Sequence, residues 1–141
     1  MVHTPGHTPE SVSLLYTDKT RSASPWAVLT GDTLFVGDVG RLDLVGAGTP
    51  EQMHHSVFKK LLALDDYVEV YPAHHAGSVC GKGMSPKTLS TIGFERRFNQ
   101  ALKAKTEDEF RSYLKANAPK PFPGAEIWPS WMNSRGGFRR R

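Results

Sequence analysis

The chain has 141 residues and a mass of 15.6 kDa, 38% of them hydrophobic, with 18 Lys and Arg against 14 Asp and Glu and a single cysteine. No apolar run approaches the roughly 20 residues of a membrane-spanning helix, and one cysteine excludes an internal disulfide, so the composition predicts one soluble domain with a single core. The net charge of +4 belongs to Arg135, Arg139, Arg140 and Arg141, which leaves residues 1–134 with 14 charges of each sign; an excess confined to a Gly-Gly-containing tail, rather than spread over a folded face, speaks against nucleic-acid binding.

The N-terminus, Met1-Val2-His3-Thr4-Pro5-Gly6, has neither the charged nor the apolar region of a signal peptide, which predicts a cytoplasmic location. Residues 11–16, 26–30 and 34–36 are short apolar runs with β-branched side chains, parted by turn-forming residues that include Asp18, Pro25 and Gly31. They predict three strands. Thr49-Pro50 is a cap and first-turn pair, and Met53, Val57, Leu61 and Leu64 follow at the spacing of one helix face, predicting a helix that ends near Asp65.

Residues 67–71 alternate like a strand and stop at Pro72. Residues 73–86 hold Gly77, Gly81 and Gly83 and predict a long loop, which in a compact domain is often functional. Leu89, Ile92, Phe94, Phe98, Ala101 and Leu102 predict a second helix, and the capping box from Thr106 to Glu109 opens a third carrying Phe110, Tyr113 and Leu114. The chain therefore divides into a folded unit, residues 1–118, and a Pro- and Trp-containing linker with a basic tail, residues 119–141.

All six histidines lie in the first 75 residues. His54 and His55 fall inside the first predicted helix and receive no role. His7 sits on a Pro/Gly-shaped loop just before a strand, a place where a ring can be held rigidly and stay accessible. Asp32 lies on a tight turn between two apolar runs, where it either caps its turn or meets a cation, a metal or backbone donors. His74 follows the C-terminal end of a predicted strand, the edge at which open α/β sheets place ligands. Two imidazoles and a carboxylate, each at a strand edge, form a donor set suited to a borderline divalent metal.

Thr4-Pro5-Gly6-His7-Thr8-Pro9, Thr30-Gly31-Asp32-Thr33-Leu34-Phe35, Gly40-Arg41-Leu42-Asp43 and Tyr71-Pro72-Ala73-His74 occur in an order and spacing that resembles the metallo-β-lactamase superfamily, most of all its persulfide dioxygenase branch. Ala76-Gly77-Ser78-Val79-Cys80-Gly81-Lys82 and the stretch Ser90 to Asn99 resemble bacterial members in which a dioxygenase domain precedes rhodanese domains. The likeness runs over residues 2–133.

The resemblance implies an α/β fold, the C-terminal half of an αβ/βα sandwich with a mixed sheet flanked by helices. It implies His7 and Asp32 as ligands of an iron(II) 2-His-1-carboxylate site, with zinc(II) as the alternative ion. His74 matches a histidine that binds metal in the two-zinc hydrolases and stands near the iron in the mono-iron branch. Arg41 would hold a substrate carboxylate, Asp43 would orient Arg41, and Cys80 beside Lys82 is either a polarised thiol next to the substrate or a small buried residue. The implied substrate is a low-molecular-weight thiol persulfide, such as glutathione persulfide, oxidised to sulfite. The alternatives are a zinc-dependent thioesterase or glyoxalase II-like hydrolase and a non-catalytic remnant or split subunit.

The family's His-x-His-x-Asp-His motif occurs nowhere in the chain. This predicts a truncated half whose sheet bares apolar side chains between residues 12–15 and 28–36, with Thr33, Leu34, Phe35 and Val36 the most prone to associate. A second copy or a complementing N-terminal half is the expected partner.

Overall fold

Alternation of side chains builds the sheet. β1 (Val2–His3), β2 (Val12–Tyr16), β3 (Ala27–Gly31), β4 (Glu69–Pro72) and β5 (Ser90–Thr91) lie side by side in chain order, β3 and β4 parallel and every other pair antiparallel. The computed structural model describes residues 1–44 and 46–118; the expected linker and basic tail, 119–141, lie outside the described residues. α1 (Pro50–His54) runs on as a π-helical segment, His55–Leu61, and is followed later by α2 (Ile92–Phe98), a 3₁₀ turn (Ala101–Lys103) and α3 (Glu107–Asn117).

The core lies between one sheet face and these helices. Val28 and Val70 from the sheet meet Met53, Val57 and Leu61 from the first helix, Ile92 from α2 and Phe110 from α3. All are at most 1% exposed, and a fully buried side chain of this size contributes roughly 1.5–3 kcal/mol. Thr49 and Thr106 each close a capping box, accepting from the backbone N–H of Gln52 and Glu109, so both helix starts form where the sequence predicts. None of the helices among the described residues is long and apolar enough to cross a membrane.

Three expectations need correction. Residues 34–36 are no strand: Leu34 and Val39 form a lone bridge around a tight loop closed by the Phe35 N–H donating to the Asp38 carbonyl, with Gly37 at φ 88°. The first helix ends at Leu61, because Arg96 donates to the carbonyls of Leu62 and Leu64 and turns the chain toward β4. The second helix is short and breaks at Asn99, whose side chain spends its donors on Glu95 and on the carbonyls of Phe35 and Asp38. Leu89, Phe94 and Phe98 are exposed rather than packed.

The outer sheet face is apolar, though narrower than the sequence predicts. Val12, Leu14 and Tyr16 of β2, Leu29 of β3 and Tyr71 of β4 are 37–53% exposed, with Leu14, Leu29 and Tyr71 directly opposite one another. Period-2 alternation sends their neighbours inward: Leu15 packs on the core and Val28 is fully buried. Thr33, Leu34, Phe35 and Val36 are at most 3% exposed, so they do not belong to that face.

Candidate metal centre

Sheet register brings the distant donors together. Gly31 pairs with Pro72 across the parallel β3–β4 ladder, and the Ala73 N–H donates to the Gly31 carbonyl at 3.0 Å. Asp32 and His74, one and two residues past that pair, therefore emerge at the same C-terminal edge. β2 runs antiparallel to β3, so the loop that precedes it arrives at that edge too and carries His7.

That loop is held by its own polar groups. The Thr4 N–H donates to the Ser11 carbonyl, the Ser56 hydroxyl to the Pro5 carbonyl and the Gly48 N–H to the Gly6 carbonyl. At Gly6 a side chain would run into Met53 of α1, which explains glycine there.

The result is one cluster. His7 Nε2 lies 3.3 Å from Asp32 Oδ2, and His74 Nδ1 lies 2.6 Å from Asp32 Oδ1. The side chains of His7 and Asp32 are 12% and 18% exposed and that of His74 40%, a recessed site with one open flank. His7 Nδ1 sits 2.9 Å from the Arg41 carbonyl oxygen. A carbonyl only accepts, so Nδ1 carries a proton and Nε2 is the nitrogen turned toward Asp32 as the available ligand atom. Nε2 and the Asp32 carboxylate oxygens thus converge as donors that a cation could share. The donor chemistry and this orientation fit a divalent metal.

Arg41 and Asp43 form a forked pair, Nε to Oδ1 at 2.6 Å and NH2 to Oδ2 at 2.5 Å. The hydrogen bond from Arg41 holds the Asp43 carboxyl below the usual carboxylate range and raises Arg41 in turn. The remaining Arg41 nitrogen, NH1, donates to the Val79 carbonyl at 2.9 Å, and the residue is 8% exposed. Its guanidinium therefore grips the loop over residues 76–85 as well as Asp43. Lys82 is exposed and lines a cavity of about 380 Å³, whose wall also includes Arg41, Asp43, Gly81, Arg111 and Lys115. Lys82 thus lines a cavity whose wall includes none of His7, Asp32 and His74.

Cys80 does join the donor cluster: its sulfur and one ligand atom each of Asp32 and His74 lie within 4.8 Å of one another. His54 stands apart, stacked on Phe58 with ring centroids 4.4 Å apart.

Sequence reasoning missed a buried support beneath the loop. The Gly37 N–H, the Asn99 amide and the Ser90 hydroxyl all donate to the fully buried Glu95. Asp38 accepts from the Gly83 N–H and from the Tyr113 hydroxyl, and burial first, then the Asp38 charge, raises the Tyr113 hydroxyl well above its usual range. A glutamate and, four residues on, an asparagine at the helix end were the available signal.

No family model matches the chain. The mitochondrial persulfide dioxygenase ETHE1 of Bos taurus is 32% identical over 117 residues, which cover 83% of this chain and 40% of that protein. A metallo-β-lactamase from Staphylococcus aureus superposes with a TM-score of 0.73 at 38% identity, covering 84% of this chain and 34% of that one. ETHE1 from Myxococcus xanthus superposes with a TM-score of 0.68 at 29% identity, covering 94% and 52%. The chain spans about two fifths of the length of the curated relatives it matches. The mixed sheet, the donors gathered at its edge and these likenesses together identify the chain as a member of the metallo-β-lactamase superfamily, a family of metal-binding folds, in its persulfide dioxygenase-like branch.

Proposed function

We propose that this chain forms part of a persulfide dioxygenase-like centre that oxidises a low-molecular-weight thiol persulfide, such as glutathione persulfide, to sulfite. His7 and Asp32 are the iron(II) ligands in this reading, with His74 beside them. The observation that carries it is the His7 ring, which the Arg41 carbonyl holds with Nε2 toward Asp32. The likeness to persulfide dioxygenases over most of the chain supports the choice of substrate.

Bound iron would supply an electrophilic site for substrate sulfur and for dioxygen. The chain's own residues do the rest. The Arg41 carbonyl fixes the His7 tautomer, and the Asp43 carboxylate fixes Arg41. Lys82 and Lys115, in the wall of the neighbouring cavity, would meet the carboxylates of a thiol such as glutathione. Gly40 lies against the Asp32 backbone, where a side chain would have no room.

Elemental analysis of chelator-free protein, run beside His7→Ala and Asp32→Ala, tests this. Stoichiometric iron lost in both variants, with oxygen uptake on glutathione persulfide once a polypeptide bearing the His-x-His-x-Asp-His segment is added, is the expected result. Stoichiometric zinc without oxygen uptake would replace the dioxygenase with a hydrolase. No metal in any sample would remove His7 and Asp32 as ligands.

A further inference from the structure

We infer that Cys80 is a metal ligand, which together with Asp32 and His74 forms a thiolate-bearing position on the His74 side of the Asp32 carboxylate. The inference rests on the metal-centre reading and adds a donor to it.

Position is the first argument. Cys80 is the only cysteine of the chain, 48 positions from Asp32, yet its sulfur lies with Asp32 and His74 donors inside 4.8 Å. Donors on one tetrahedral zinc, at bond lengths of about 2.0–2.3 Å, stand roughly 3.3–3.8 Å apart, so closure needs about an ångström of side-chain movement. The Cys80 side of the site is half-buried and loop-borne, which permits that movement.

The loop's anchoring is the second. The Arg41 N–H donates to the Cys80 carbonyl at 3.3 Å and Arg41 NH1 to the Val79 carbonyl at 2.9 Å. The Ser78 hydroxyl accepts from the Cys80 N–H, and Asp38 accepts from the Gly83 N–H at 2.8 Å. Arg41 and Asp38, distant from Cys80 in sequence, and the nearby Ser78 thus hold the backbone on both sides of Cys80. A cysteine that merely filled space would be packed by apolar neighbours, and this one is placed by polar bonds beside a carboxylate and an imidazole.

The chemistry is the third. The two Asp32 oxygens face different partners, Oδ2 toward His7 and Oδ1 toward His74. Adding sulfur on the His74 side gives an oxygen, nitrogen and sulfur set, which suits zinc(II) or cobalt(II) better than a set of hard oxygen donors would. Ligation converts the thiol to a metal-bound thiolate and releases its proton to solvent, with no oxidant or reductant needed.

Anaerobic titration of the 141-residue chain with cobalt(II) tests the assignment through absorption rather than activity. The parent should develop visible ligand-field bands together with a near-ultraviolet thiolate-to-cobalt charge-transfer band. Cys80→Ser should lose the near-ultraviolet band, keep the visible bands and bind cobalt at least roughly tenfold more weakly. Cobalt should also slow alkylation of Cys80 in the parent and not in His74→Gln, a readout that needs no cysteine variant to fold. Visible bands without charge transfer in the parent, or alkylation indifferent to cobalt, would overturn the Cys80 assignment and leave the metal centre standing. A folded parent that takes up no cobalt would overturn both.

Discussion

Gly40 lies against Asp32 so closely that a Cβ on Gly40 would overlap the Asp32 carbonyl oxygen and approach the His7 Cβ to 3.2 Å. One residue without a side chain therefore lets the backbone before Arg41 pass beside two candidate ligands at once. Gly40→Ala should force that backbone apart, cost roughly 1–3 kcal/mol of stability and reduce metal uptake. Urea unfolding and elemental analysis of the same preparation check it; a variant with parental stability and metal content would show that the contact relaxes freely.

The support beneath the Cys80 loop should be costly to break. Asn99 is 1% exposed and bridges Glu95, the Phe35 and Asp38 carbonyls and the Ala101 N–H. Asn99→Ala leaves several of these buried groups without partners, with an expected loss of about 2–3 kcal/mol by chemical denaturation. Tyr113→Phe removes one hydrogen bond to Asp38, and about 1 kcal/mol is expected.

The Arg41–Asp43 pair sets an acid limit. The Asp43 carboxyl titrates below its unfolded value of about 4, so its contribution is complete above that pH and is lost as the pH falls through the lowered folded value. The parent should lose stability through this window faster than Asp43→Asn. Urea midpoints measured in steps of pH on both proteins decide it, with parallel curves the unfavourable result.

The outer sheet face carries a prediction about assembly. Leu14, Leu29 and Tyr71 form an exposed row across three strands. A chain with this row bare should self-associate, and Leu14→Lys with Leu29→Lys should shift it to monomer in sedimentation velocity while leaving helix content unchanged. A monomeric parent would mean that the face is tolerated in water.

Local rules made much of the fold legible. Apolar runs with β-branched residues marked β2 and β3, Thr49 and Thr106 announced the helix starts, and residues 73–86 formed the long loop that their glycines imply. The same rules misjudged residues 34–36 and the second helix, because a tight loop at Gly37 and the tertiary bonds of Asn99 outweigh apolar periodicity.

The sequence by itself determined which donors exist: His7, Asp32 and His74 stand on strand-edge segments, and their chemistry follows from their side chains. Tertiary structure alone decided that they meet. The Asp32–His74 contact spans 42 residues and depends on the Gly31–Pro72 register, which is set by burying Val28 and Val70 against the first helix. The place of Cys80 depends likewise on Arg41 and Asp38 gripping its loop. Such closures draw their free energy from core burial and buried hydrogen bonds among residues far apart in the chain, and no local pattern records them.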